Sequence, residues 1–300
     1  MKNRTNSGVK MHLILIIGLA LLGWVLFSLA GTFVIKWLFT LDVWTNPHAL
    51  SDYANPDVVA ANKVFLLFEH TGLFVFPAVA YWKLARREGF SNWQWNAVQP
   101  KQWGLFLVFA ILFTPAMNWI IHLNQAFPFP EFLSDLEASL RAMEDQALEI
   151  TKIFAHSDTF STFLFNLVIM AMLPALSEEL LFRGSLQPYF LRVMGNHHVA
   201  IWITALLFSV LHFQFFGFVP RMMLGAFFGY LYYYSGNLVV PMVFHLINNA
   251  LALTAMTYFG MELEATGLSV GEWIMSLSFF GLFVYLFVRW IKNRVPAFKY

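Results

Sequence analysis

Apolar residues run on along most of this chain for twenty positions or more, longer than the alternations that mark half-buried strands or surface helices. A helix needs about 20 mostly apolar residues to cross a ~30 Å hydrocarbon layer. Eight stretches meet that length: 11–37, 61–83, 103–124, 161–188, 198–217, 219–236, 238–259 and 272–291. Only "FGFVP" separates the fifth from the sixth, and only "YSGN" the sixth from the seventh. Links so short, carrying Gly or Pro, make those helices antiparallel neighbours. Gly225 and Gly229 give the sixth span a small-xxx-small face that lets a partner approach closely. The pattern predicts an all-α, polytopic membrane helix bundle of about eight transmembrane helices, with no place for a soluble domain.

The segment 127–160 has a different rhythm. Leu133, Leu136, Leu140, Met143, Ala147, Ile150 and Phe154 recur at spacings of three and four, which predicts an amphipathic helix over about 131–155. Its opposite face carries Glu137, Glu144 and Asp145. An acidic face gains little from anionic headgroups, so this helix is expected to pack on the bundle or a partner, as a connector rather than a substrate-gating lid. The chain then divides into 1–160 (three spans plus this helix), 161–260 (four spans) and 261–300 (a last span and a basic tail).

Composition agrees with a membrane protein. Of 300 residues, 59% are hydrophobic and 12% charged, against about 25% charged in an ordinary soluble domain. Mean hydropathy is +0.63. The 34 Phe and 11 Trp suit lipid-facing helices with aromatic ends. Cysteine is absent, which excludes disulfides, thiolate chemistry and Cys-based metal sites. The net charge of +1 gives no reason to expect nucleic acid.

Basic residues set the expected direction. With the N-terminus inside, Lys2, Arg4, Lys10, Lys83, Arg86, Arg87, Lys101, Arg192, Arg289, Lys292, Arg294 and Lys299 fall on the inner side, and Lys36, Lys63, Arg141, Lys152 and Arg221 on the outer. Twelve against five predicts a multi-pass protein of the cell membrane with both termini cytoplasmic. Ser28 and Ala30 suit signal cleavage, but the apolar run continues well past the 7–15 residues of a signal core, so the first span is expected to be permanent.

Charges inside such spans are costly, about 2.5–3.5 kcal/mol each near the centre, and so point to function. The fourth span carries "PALSEELLFRGSLQPYF". Glu179 and Arg183, four apart, share a helix face and can neutralise each other, whereas Glu178 is rotated about 100° away and must find company elsewhere. "FSVLH" places Phe208 and His212 on one face of the fifth span, and "HLINN" places His245 and Asn249 on one face of the seventh. At 1.5 Å per residue, Glu178, His245 and His212 lie ~15, ~12 and ~21 Å from the cytoplasmic ends of their spans, at depths where they can converge. Glu69–His70 and Asn118/His122 have a similar look but are expected to be satisfied packing or interfacial groups. His197 and His198 are expected to be solvated in a loop.

These three motifs resemble those of the CPBP intramembrane proteases, the type II CAAX prenyl endopeptidase or Abi family. "EELLFR" is similar to its EExxxR motif, "FSVLH" to FxxxH and "HLINN" to HxxxN, and the run from Leu224 to Asn249 resembles the family almost throughout. The likeness covers roughly 165–255. It implies an intramembrane endopeptidase in which Glu178 and His212 activate water and His245 and Asn249 stabilise the oxyanion, with Glu179 and Arg183 holding the helix and supplying a countercharge. It also implies a membrane-anchored or lipidated protein or peptide as substrate. Glu178, His212 and His245 would suit a divalent metal such as zinc with an open fourth position. No HExxH is present, and a metal-free, glutamate-based site is the preferred expectation. Two other classes compete: an ion-coupled transporter, which usually shows paired repeats with broken helices not visible here, and a non-proteolytic scaffold or immunity membrane protein.

Overall fold

The structure is a computed structural model that describes residues 6–85, 87, 93–260 and 269–293. Several basic residues behind the expected orientation (Lys2, Arg4, Arg86, Arg294, Lys299 and the side chain of Lys10) and the side chain of Asn118 lie outside the described residues. Among the described residues nine long helices follow in order, α1 Asn6–Phe39, α2 Pro56–Ala85, α3 Pro100–Gln125, α4 Ser134–Ala155, α5 Phe160–Met194, α6 His197–Val210, α7 Phe218–Ser235, α8 Val239–Phe259 and α9 Val270–Lys292, with a single 3-10 turn at Glu131–Leu133 before α4. Six of them (α1 from Met11, α2, α3, α5, α8 and α9) are long and apolar enough to cross a membrane. The shorter α6 and α7 fall on the remaining two predicted spans. With no water in the hydrocarbon layer, helices satisfy every backbone group internally, which is why this architecture suits the composition.

Local chemistry sets the helix ends. Asn55 caps α2, its side chain accepting from the Asp57 N–H, with Pro56 in the first turn where its missing donor costs nothing. Asn196 caps α6 in the same way. Gly195 and Gly236, at φ +63° and +62°, take the left-handed conformation that stops α5 and α7 and turns the chain straight into the next helix. Two helices widen to π geometry: α2 at Thr71–Val75, and α5 at Leu167–Met172 and Phe182–Leu186. Such widenings recur at functional sites.

Small residues allow the closest crossings, as the small-xxx-small pattern of the sixth span predicted. A Cβ on Gly229 would lie 2.9 Å from Ile201 Cγ2 of α6, and one on Gly225 would lie 3.3 Å from Ala205. The α1–α2 crossing uses the same device, because a Cβ on Gly23 or Gly72 would strike the carbonyl oxygen of the other. On the far side, Phe106, Phe109 and Phe113 of α3 interlock with Phe283, Phe287 and Trp290 of α9. Lys63, buried on α2, donates to Asn166 Oδ1 of α5 at 2.7 Å, and the Asn166 amide in turn holds the carbonyls of Ala155 and His156. This knot ties the end of α4 to the bundle. Apolar side chains such as Ile14, Leu21 and Trp37 stay exposed on α1, as a lipid-facing helix requires.

Two expectations need correction. The fifth span does not stay helical to 217: α6 stops at Val210, and residues 211–217 form an irregular turn. Phe213 adopts a left-handed backbone (φ +53°), a conformation that costs a non-glycine residue energy and ends the helix. Second, the amphipathic helix does not bury the whole apolar seam. Leu136 and Met143 are exposed, while Glu144, placed by periodicity on the outer face, is half-buried. Gln214 Nε2–H donates to Glu144 Oε1 at 3.2 Å, Arg221 Nη2–H donates to Gln214 Oε1, and the Arg141 guanidinium lies 4.3 Å from the Phe216 ring centroid. Polar partners across the 211–217 turn therefore decide how α4 sits.

Candidate active site

Five of the six motif residues come together from α5, α8 and the end of α6, and Asn249 does not join them. On α5, Glu179 and Arg183 are both fully buried and paired, Arg183 Nη1–H donating to Glu179 Oε1 at 2.7 Å. The second guanidinium nitrogen of Arg183 donates to the Gly225 carbonyl of α7 at 2.6 Å. Its carbon lies 5.0 and 5.6 Å from the rings of Phe208 and Phe228. One arginine thus joins α5, α6 and α7.

His245 of α8 completes the cluster. Its Nδ1 lies 2.9 Å from Glu179 Oε1, and its ring stacks on Phe228 at 5.0 Å between centroids. A carboxylate oxygen only accepts, so Nδ1 carries the proton and Nε2 faces the other way. There Glu178 Oε2 stands 3.9 Å from His245 Nε2. The lone glutamate does find its company on another helix.

His212 sits just past the end of α6 rather than within it, but keeps the relation to Phe208 that its spacing implied. Its Nδ1 lies 2.8 Å from the Phe208 carbonyl, with the rings 5.1 Å apart. The carbonyl can only accept, which again fixes the proton on Nδ1 and leaves a lone pair on Nε2. Asn249 lies one turn after His245 on α8, its Oδ1 accepting from Asn248 Nδ2 at 3.2 Å; among the described residues no side-chain contact joins it to Glu178, His212 or His245.

Glu178 and His212 line one cavity of about 250 Å³, together with Phe182, Phe208, Trp24, Leu66 and Leu73. Glu69 and His70 line it too, and the sequence reading placed both outside the site. Trp24 Nε1–H donates to Glu69 at 3.4 Å, and His70 Nδ1 lies 3.1 Å from Ser177 Oγ. The signal for them was present as two ionisable groups inside one apolar span. Their packing role accounts for one nitrogen of His70 and not for the other. His198 is exposed, as expected, with Nδ1 2.7 Å from the Tyr230 hydroxyl, and the partly buried His197 stacks on Tyr233; both sit in the first turn of α6 rather than in a loop.

Zinc needs its ligands within about 2.0–2.3 Å of a common point. Among the described residues no three His or acidic side chains converge closely enough to hold a metal ion. His245 Nε2 and Glu178 Oε2, 3.9 Å apart, approach each other as two ligands would, but no third His or acidic side chain joins them among the described residues, so the arrangement as it stands does not make a metal centre. No step is routed through one below.

Comparison with known proteins adds an independent line. Residues 160–251 match the model of the type II CAAX prenyl endopeptidase Rce1-like family. This is the family that the three motifs resemble, and the match supports an intramembrane protease of the CAAX type. The matched segment contains all six motif residues but neither Glu69, His70 nor Glu144. The uncharacterized protein YpbD of Bacillus subtilis (strain 168) is 33% identical over 89 residues, which is 28% of this chain and 42% of that protein. The match thus spans less than half of that relative. No solved structure matches the chain.

Proposed function

We propose that this chain is an intramembrane endopeptidase that hydrolyses a peptide bond in a membrane-anchored or lipidated protein or peptide, CAAX-type processing or its bacterial equivalent. The observation that carries the reading is Glu178 at the wall of a cavity within the bundle, facing His245 Nε2 and sharing the space with His212. A buried carboxylate that faces one imidazole and lines a cavity with another is a poor packing device and a good proton acceptor.

Water held between Glu178 and the His212 lone pair attacks the scissile carbonyl carbon. As the oxygen–carbon bond forms, one water proton passes to Glu178 and the carbonyl electron pair moves onto oxygen. His245 Nε2–H and the Asn249 amide are the donors for that oxygen. The Glu179 carboxylate, with Arg183, balances the charge of a His245 that donates from both nitrogens. When the carbon–nitrogen bond breaks, the Glu178 proton goes to the departing amine, and the products are one acid and one amine. Both termini cytoplasmic and residence in the cell membrane belong to the same proposal, supported by the distribution of Lys and Arg.

The test compares wild type with Glu178→Gln in liposomes carrying prenylated and other membrane-anchored peptides, with products read by mass spectrometry. The proposal expects a new C-terminus from wild type and none from the variant. Equal products from both would remove Glu178 from the chemistry, and ion-coupled uptake without cleavage would turn the reading toward a transporter.

A further inference from the structure

The trans geometry of the peptide bond makes a demand on the cavity that the motif residues do not meet. In a trans amide the C=O and N–H point in opposite directions. A scissile carbonyl aimed at His245 and Asn249 on α8 therefore sends its N–H toward the opposite wall, where it needs an acceptor or stays unpaired in a dry site, a costly outcome.

On the side of the cavity away from α8, α2 supplies the polar lining, through Glu69 and His70. Ser177 and Glu178 are adjacent on α5, about 100° apart around the helix. Ser177 faces α2, and Glu178 faces α8. The Ser177 hydroxyl donates to the Leu173 carbonyl at 2.7 Å, so toward His70 its oxygen can only accept. His70 consequently carries its proton on Nδ1, given to Ser177 at 3.1 Å, and presents an unprotonated Nε2. Among the described residues that nitrogen makes no protein hydrogen bond, yet it is not among the sealed polar atoms left without a partner. It opens into the cavity that His70 lines together with Glu178 and His212. The Gly23–Gly72 crossing lies just beyond it and holds α2 in place.

We propose that His70 is a further substrate-contacting residue of the site: its Nε2 accepts the N–H of the scissile peptide bond. The role rests on the hydrolytic reading above, and it extends the site into the part of the chain that the family match does not cover. No bond to His70 forms or breaks. It fixes the amide plane so that the carbonyl meets its donors and the nitrogen lone pair can take the proton from Glu178.

The experiment uses the full-length protein in liposomes with two matched substrates, a peptide and its depsipeptide, in which an ester oxygen replaces the scissile N–H. His70→Asn keeps a donor for Ser177 and deletes the Nε2 position. It should lower kcat about 10- to 100-fold on the amide, the range of one hydrogen bond to a buried group, and change it less than about threefold on the ester. His70→Gln, which restores an acceptor near Nε2, should recover most of the amide rate. Equal losses on both substrates, or no loss, overturn the role. Wild type and Glu178→Gln in the same assay separate the two claims: no cleavage of either substrate by wild type sinks the hydrolytic reading itself, and retained cleavage by Glu178→Gln removes that carboxylate from it. Should His70→Asn fail to fold, diethyl pyrocarbonate labelling of wild type decides independently of activity. His70 should be carbethoxylated about as fast as His212, and more than tenfold slower labelling contradicts an open Nε2.

Discussion

Arg183→Met is the substitution whose consequence the structure specifies most fully. The guanidinium has no exposed surface and gives one charge-assisted hydrogen bond to Glu179 and one to the Gly225 carbonyl, at 2.7 and 2.6 Å. Methionine fills similar volume but supplies neither donor. Breaking a buried ion pair by removing one partner costs ~3–5 kcal/mol, since the other charge is left behind. His245 Nδ1 remains on Glu179 and shares that burden, which places the expected loss near the low end, ~3 kcal/mol, or about two factors of ten in the folding equilibrium. Unfolding in mixed micelles by increasing SDS, followed by Trp fluorescence, measures it. The paired change Arg183→Met with Glu179→Gln removes both charges and should be less destabilised than Arg183→Met alone. A loss under ~1 kcal/mol, or strict additivity in the pair, would refute the claim that this ion pair holds α5, α6 and α7 together.

Two further outcomes follow from packing and charge. Gly229→Ala would set a Cβ 2.9 Å from Ile201 Cγ2 and Gln187 Oε1, so it should destabilise by ~1–3 kcal/mol in the same assay, as overpacking does. Glu144, outside the spans, has its carboxyl pushed above the usual range by burial, a larger effect than the downward pull of Arg221. The folded chain then holds this proton to higher pH than the unfolded chain, so acidification from pH 7 toward the ordinary value of 4.5 should stabilise wild type relative to Glu144→Gln. Thermal unfolding of both proteins across that range checks the sign.

The spans were legible because twenty apolar residues in a row admit few other structures, and the Glu179–Arg183 pair because i,i+4 spacing is a local property. The meeting of Glu178 with His245 followed from depth along two helices. The end of α6 was not legible: Phe213 takes a left-handed backbone with no glycine to announce it, in a turn whose next residues, Gln214 and Phe215, are tied to α3, α4 and α7. Periodicity misplaced Glu144 because its partners, Gln214 and Arg221, lie some seventy residues on and outweigh the apolar seam. His70 was visible as an expensive residue in a span, but only the crossing of α2 over α5 tells which nitrogen is spent and which is open.

The most direct test of the central claim is the single-turnover cleavage rate of Glu178→Gln with substrate bound at saturation. If Glu178 takes the proton from water, the chemical step should slow at least 10²- to 10⁴-fold, the range of general-base catalysis, while substrate affinity and folding stay close to wild type. A variant that cleaves within tenfold of wild type would contradict the account, and the carboxylate facing His245 would have to be assigned a role other than catalysis.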